Sequence, residues 1–245
     1  MMTYPPWIVG VDLGKLSDPT ALAIARRELH TWGETTEQRY LVQHLERMAL
    51  GTAYPTVVAH VADLLARLPR PREWERKNWE RMLLPENSAR LAPWYTLVID
   101  ATGVGEGVCD LFTLAHIPHI RVTLTAGLST TEPTRDRWHV PRQSLIGALV
   151  VAIQDQRLHV ASALPDAGVL VKEAQNFQYK VTGKGAEEYT LWRESKHDDL
   201  VFATALVVWW GEHTRPIQRS ADQPTHAQGM GNPFAQQYRR KHAIS

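Results

Sequence analysis

Apolar residues along this chain fall into short runs broken by turn-forming clusters, the pattern of strands and helices in alternation. Trp7 to Leu13 is one such run and takes in Asp12. Ala21 to Glu28 resumes with small and aliphatic residues after Gly14, Ser17, Asp18 and Pro19, so the two runs predict a β-hairpin. Arg39 to Leu45 predicts a third strand and hence an antiparallel meander. Within Thr56 to Leu68, the residues Val57, Val58, Val61, Leu64, Leu65 and Leu68 recur at helical spacing. Tyr95 to Ile99 is a compact strand closed by Asp100, and the glycines of Thr102 to Gly107 turn it into a helix from Glu106 to Ala115. Ile120 to Leu124 predicts a further strand. After a polar loop, Pro141 to Gln154 reads as a helix with Pro141 in its first turn, where a missing N–H costs nothing. Leu158 to Val160 predicts a short edge strand, Pro165 to Asn176 a helix, and Tyr189 to Trp192 a strand after the turn Gly183-Lys184-Gly185. The last element, His197 to Glu212, is almost wholly apolar beyond Asp199 and predicts a buried helix.

Two stretches lack a period. Pro69 to Pro93 is proline-flanked and rich in Arg, Glu and Trp, and is expected to be a partly helical insertion in which Trp74 and Trp79 form a hydrophobic docking face. From Thr214 onward Pro, Gln, Ser, His and Gly dominate, which predicts a flexible tail over 214–245. The remainder, 1–213, is expected to be one α/β domain, since 245 residues suffice for one substantial core. No apolar run approaches the roughly 18 residues of a membrane span, and the start has no signal-peptide pattern, so a cytoplasmic location is expected. The single cysteine, Cys109, excludes an internal disulfide and any multi-thiolate metal site, so a bound metal would be held by oxygen or imidazole. Net charge is only +1, so any contact with nucleic acid must come from local patches. Arg67 to Arg90 holds seven Lys/Arg against four Glu, and the tail from Thr214 holds five against one Asp.

The chemistry-bearing residues are acidic and stand at the ends of core elements: Asp12 on the first strand, Asp100 closing the later strand, and Asp198 with Asp199 opening the last helix. A buried carboxylate is costly without a compensating partner such as a cation. Each of these aspartates alone also fits a turn or a helix cap. As a set, their order of strand-Asp, strand-Asp, helix-Asp is that of RNase H-like nucleases. The surrounding residues resemble the nuclease domain of the phage terminase large subunit. The resemblance lies in Gly10-Val11-Asp12-Leu13-Gly14 with Asp18, Val98-Ile99-Asp100-Ala101-Thr102-Gly103-Val104-Gly105, and His197-Asp198-Asp199-Leu200-Val201 leading into an alanine-containing helix. It also covers Val122 to Gly127, Val140-Pro141-Arg142, Gln156-Arg157-Leu158 and Glu173-Ala174-Gln175-Asn176-Phe177, so it spans Ile8 to Trp210.

The resemblance implies an RNase H-like α/β fold, a mixed sheet of antiparallel meander plus parallel strands flanked by helices. It also implies a metal-dependent DNA endonuclease that cuts concatemeric viral DNA during packaging. Asp12, Asp100 and Asp199 would be catalytic, binding two Mg²⁺ or Mn²⁺ ions with Asp198, and His197 would lie beside the metals. Successive helix residues point about 100° apart. Asp199 lies above the stripe of Ala203 and Leu206 and is therefore the expected inner ligand, with Asp198 capping the helix or completing the second ion's shell. Lys180, Lys184, Arg193 and Lys196, on an expected strand-turn-strand, are candidate DNA contacts, as are Arg135, Arg137 and Arg142 near the next helix; Trp138 and His139 between them fit packing equally well. No Gly-x-x-x-x-Gly-Lys-Ser/Thr motif occurs, so the ATPase motor of a terminase large subunit is missing from this sequence, which fits either a separated nuclease or an excised domain. The partners implied are double-stranded DNA, a separate motor, a small terminase and a portal, with no membrane. A Holliday junction resolvase or a transposase-like nuclease would use the same carboxylates. An actin-like ATPase or sugar kinase, whose phosphate loops Asp12-Leu13-Gly14 and Asp100 to Gly103 superficially match, needs two such domains and more residues than this chain has.

Overall fold

The computed structural model describes residues 3–4, 6–14, 18–32, 35–70, 94–182 and 198–216. After the two-residue strand β1 (Thr3–Tyr4) come β2 (Trp7–Asp12), β3 (Ala21–Trp32) and β4 (Thr35–Arg47), then helix α1 (Tyr54–Arg67), β5 (Tyr95–Asp100) and α2 (Gly105–Leu114). Three strands follow, β6 (Ile120–Thr125), β7 (Thr131–Thr134) and β8 (Arg137–Pro141), then α3 (Arg142–Gln154), β9 (Leu158–Val160), α4 (Ala167–Thr182), α5 (Asp199–His213) and β10 (Arg215–Pro216).

Eight strands form one mixed sheet in the order β7-β8-β6-β5-β2-β3-β4-β9. The expected meander is present: β3 pairs antiparallel with both β2 and β4, while β5 joins the other side of β2 in parallel and β6 and β8 extend that parallel half. The hairpin β3–β4 runs well beyond the expected strands, and a register shift after Ile24 accommodates an extra residue opposite it.

Alternation along the strands splits the core into two layers. Val9, Val11, Leu97 and Ile99 face α1 and α2, meeting Val57, Val61, Leu64, Val108 and Phe112. Ile8, Ala23 and Val98 face the other way, onto α3, α4 and α5. Helix α5 is buried on every side from Asp199 to Gly211, which explains its unbroken apolar sequence. Its far end is fixed by the buried Arg27, whose Nη1 donates to the carbonyls of Gly211 and Thr214, each at 3.3 Å, and to Thr214 Oγ1 at 2.8 Å. At that end Trp138 of β8 packs edge-on against Trp209 and Trp210, with centroids 5.8 and 5.9 Å away.

Several expectations need correction. The polar loop after Leu124 contains β7 and β8. All four residues of β7 are exposed and one is proline, as suits the edge of a sheet, so no apolar alternation marks it. Helix α4 ends at Thr182, six residues beyond Asn176, so Lys180 lies on a helix and not on a strand. Ordered structure continues past 213, because β10 pairs in parallel with β1 and Thr214 is buried. The insertion over 71–93, the strand expected over 189–192 and the tail beyond 216 lie outside the described residues.

Candidate active site

Two strands and one helix converge at the carboxyl ends of β2 and β5. Their register pairs Gly10 with Val98 and Val11 with Ile99, so one step further both strands end, on Asp12 and Asp100. Side chains alternate faces along a strand, and Gly10 and Val98 lie on the α5 side of the sheet. Asp12 and Asp100, two residues on, therefore point to that side too. Gly10 is where α5 rests: a Cβ at this position would lie 2.1 Å from the Ala203 carbonyl oxygen. Asp199 precedes Ala203 by four residues, about 6 Å along a helix axis. Asp12 follows Gly10 by two, about 6.6 Å along a strand. The absent side chain at Gly10 thus brings the first turn of α5 over the ends of β2 and β5.

The electrostatics agree with this placement. Burial pushes the Asp12 carboxyl well above its ordinary value, and the negative charges of Asp100, Asp199 and Asp198 push it in the same direction, while Arg142 opposes them. Four carboxylates therefore share one field. Asp100 Oδ1 accepts the Thr102 N–H at 2.8 Å, and Thr102 Oγ1 accepts the Leu124 N–H at 2.9 Å, tying the glycine turn to β6. That turn is tight: a Cβ on Gly105 would come within 2.3 Å of the Asp100 carbonyl oxygen. Among the described residues no three acidic, imidazole or thiol side chains are gathered into a ready-made metal shell.

Asp198 occupies the N-cap position of α5 but makes no side-chain capping bond, contrary to one of its expected roles. That task falls to Glu173 of α4, whose Oε2 accepts the Val201 N–H at 3.1 Å. The other oxygen of Glu173 pairs with Arg47, and Arg47 Nη2 also lies 3.3 Å from Asp199 Oδ2. Burial raises the Glu173 carboxyl to about 7, outweighing Arg47 and the Val201 N–H, which favour its charged form; Asp199 and Asp198 add to the rise. Sequence reasoning nominated neither Arg47 nor Glu173. Glu173 stands in one of the family-like segments, whereas Arg47 is one basic residue among many at a strand end.

The expected DNA-contacting cations are distributed unevenly. Arg142 opens α3 beside the carboxylates, with its guanidinium 4.9 Å from the centre of the Phe202 ring. Arg137, on β8, pairs with Glu106, which also binds the buried Arg121 at 3.1 Å. Arg135 is exposed in the β7–β8 turn. Lys180 lies on α4, and Lys184, Arg193, Lys196 and His197 fall outside the described residues.

A three-strand antiparallel meander runs into parallel strands in a mixed α/β sheet flanked by helices, with acidic residues at the ends of its two adjoining central strands and at the start of α5. Two solved structures are similar to this chain. One is the large terminase nuclease from thermophilic phage G20c with bound zinc, at 18% identity over 84% of this chain and 83% of that one, with a TM-score of 0.44. The other is a second structure of that phage's large terminase nuclease, at 16% identity over 84% of each chain, with a TM-score of 0.42. At these values the likeness is one of general chain path, and the functional reading rests on this chain's own residues. No family model and no curated relative matches the sequence.

Proposed function

We propose that this chain is a metal-dependent DNA endonuclease of the terminase large-subunit type, with Asp12, Asp100 and Asp199 as its catalytic carboxylates. The observation that carries this reading is the gathering of Asp12, Asp100, Asp198 and Asp199 at one end of the sheet, where burial, and after it the charges of the other three, hold Asp12 well above its ordinary pKa. Such a cluster is stabilised by cations, and a set made only of carboxylate oxygens suits hard divalent ions, Mg²⁺ or Mn²⁺. Asp12, Asp100 and Asp199, with Asp198, would hold such ions, which would supply an activated water and a stabilised leaving oxygen for phosphodiester hydrolysis. Asp199 is the inner ligand of the two on α5: it is 6% exposed, whereas Asp198 is half-buried at the helix mouth. Arg142, stacked on Phe202 beside the cluster, is placed to meet a phosphate. Lys180, Lys184, Arg193 and Lys196, with Arg135 and Arg137, would attend to the flanking backbone. The ordered motifs around the aspartates favour a terminase-type substrate, concatemeric duplex DNA. This sequence holds no P-loop motif, so packaging would need an ATPase motor, on another chain or on a longer form of this one, alongside small terminase and portal.

The test is cleavage of plasmid DNA by the purified chain with Mn²⁺ or Mg²⁺ and in EDTA, alongside Asp12→Asn. Metal-dependent nicking or cutting, lost in EDTA and in a folded Asp12→Asn protein, is expected. Cutting that persists in chelator would refute the reading.

A further inference from the structure

Arg47 lies between two carboxylates that belong to different helices, and the arrangement is specific. Glu173 is 5% exposed, and both its oxygens are engaged, one by the Val201 N–H and the other by Arg47. Glu173 therefore caps α5 from a neighbouring helix, and Asp198, at the N-cap position, makes no capping bond. The same Nη2 of Arg47 that meets Glu173 is 3.3 Å from Asp199 Oδ2. The Arg47 backbone is held as well, its N–H donating to Asp166 Oδ2 at 3.3 Å. Asp199 thus already has a cation beside it, and Asp100 has a backbone N–H, in a cluster whose members are not gathered as a metal shell.

We propose that Arg47 is a resident counter-ion for Asp199, neutralising that carboxylate until a divalent cation takes it, while Glu173 holds the guanidinium in place throughout. Arg47 and Glu173 are positioning residues, since neither need touch the reacting phosphate. The inference rests on the metal-dependent reading of Asp12, Asp100 and Asp199. It adds that metal binding is a competition: an arriving ion must displace an existing ion pair. A charged group in contact with its partner keeps much of its interaction in salt, whereas a cation acting at a distance is screened.

The experiment is Mn²⁺ binding to the whole chain by calorimetry, with thermal unfolding measured in chelator and in saturating Mn²⁺, for wild type, Arg47→Gln and Arg47→Lys. Losing the competitor should tighten Mn²⁺ binding by on the order of tenfold, the value of one charge-assisted contact. That tightening should largely persist at about 0.5 M KCl, where screening acts over only a few ångströms. Arg47→Gln should be less stable than wild type in chelator and regain most of the difference in Mn²⁺. Arg47→Lys, which keeps a charge but loses the two-sided guanidinium, should fall between and carries the test if Arg47→Gln does not fold in chelator. An unchanged or weakened Mn²⁺ affinity in the Arg47 variants would overturn the counter-ion role and leave the metal reading standing, as would an equal stability deficit with and without metal, the mark of a purely structural clamp. Tightening that vanishes in salt would also overturn it. No Mn²⁺ binding by wild type or by any variant would overturn the metal reading and this inference together.

Discussion

Replacing Gly10 with alanine probes the contact that sets the site. The added methyl carbon would lie 2.1 Å from the Ala203 carbonyl oxygen and 3.0 Å from Val207 Cγ2. Carbon–oxygen contacts between packed backbones are about 3.3–3.6 Å, so strand and helix would have to separate by more than 1 Å, roughly, at that point. The obstacle is helix backbone and not a flexible side-chain end, and α5 is buried on all sides, so nothing nearby can give cheaply. Overpacking typically costs 1–3 kcal/mol, and the upper end is expected here. For a chain of this size that is a fall in Tm of about 6–12 °C, at 2–4 °C per kcal/mol. Because Asp199 is carried on the displaced helix, a shift of about 1 Å should also lower Mn²⁺-dependent cleavage by on the order of 10²-fold. Gly147, inside α3, is the control: a Cβ there meets nothing within 4 Å, so Gly147→Ala should be neutral or gain about 0.5–1 kcal/mol. Differential scanning calorimetry and plasmid cleavage read both effects. A Gly10→Ala protein with wild-type Tm and wild-type cleavage would refute the claim that this contact positions Asp199.

Two further outcomes follow from the same geometry. Asp199→Ala should eliminate cleavage with every divalent ion, whereas Asp198→Ala, altering the half-buried residue at the helix mouth, should keep some activity at high Mn²⁺; the reverse order in plasmid assays would move the inner ligand to Asp198. In chelator, Glu173 has a folded-state pKa of about 7 against an ordinary 4.5, so the folded state holds this proton more tightly. Its contribution is present below about 4.5 and is lost as pH rises through 7, on the order of 3 kcal/mol in all. The raised Asp12 carboxyl acts in the same sense. The lowered pKa values of His119 and His213 act in the opposite sense, so the test is the difference between proteins: in urea unfolding Glu173→Gln should lack the loss of stability that Glu173 adds across this window, and an identical slope in the variant would show that Glu173 does not titrate there.

What the sequence reveals here depends on how each element is stabilised. β2, β5 and α5 are made by burial, so their apolar runs mark them, and the aspartates ending those runs stand out because burial makes them costly. β7 is made by backbone pairing at a sheet edge with every side chain exposed, so it leaves no apolar pattern. The extensions of β3 and β4 are paired with each other and carry partly exposed residues such as Glu37 and Gln38, which obscures their ends. Arg47 and Glu173 were missed for a related reason: their significance comes from a contact across 126 positions, and neither local spacing nor periodicity encodes that. For Asp198 the cap position is right, but a residue of another helix caps α5 in its place. Arg137, placed among the DNA contacts by its neighbours in sequence, is also paired with Glu106 of α2, a contact no local pattern encodes.

The central claim, that Asp12, Asp100 and Asp199 hold divalent ions for DNA cleavage, is tested most directly by anomalous diffraction from crystals soaked in Mn²⁺. Density is predicted at the ends of β2 and β5, with carboxylate oxygens of Asp12, Asp100 and Asp199 about 2.1 Å from the ion, as is usual for small hard divalent cations. Mn²⁺ bound elsewhere on the molecule, with no peak touching Asp12 and Asp100, would contradict the account.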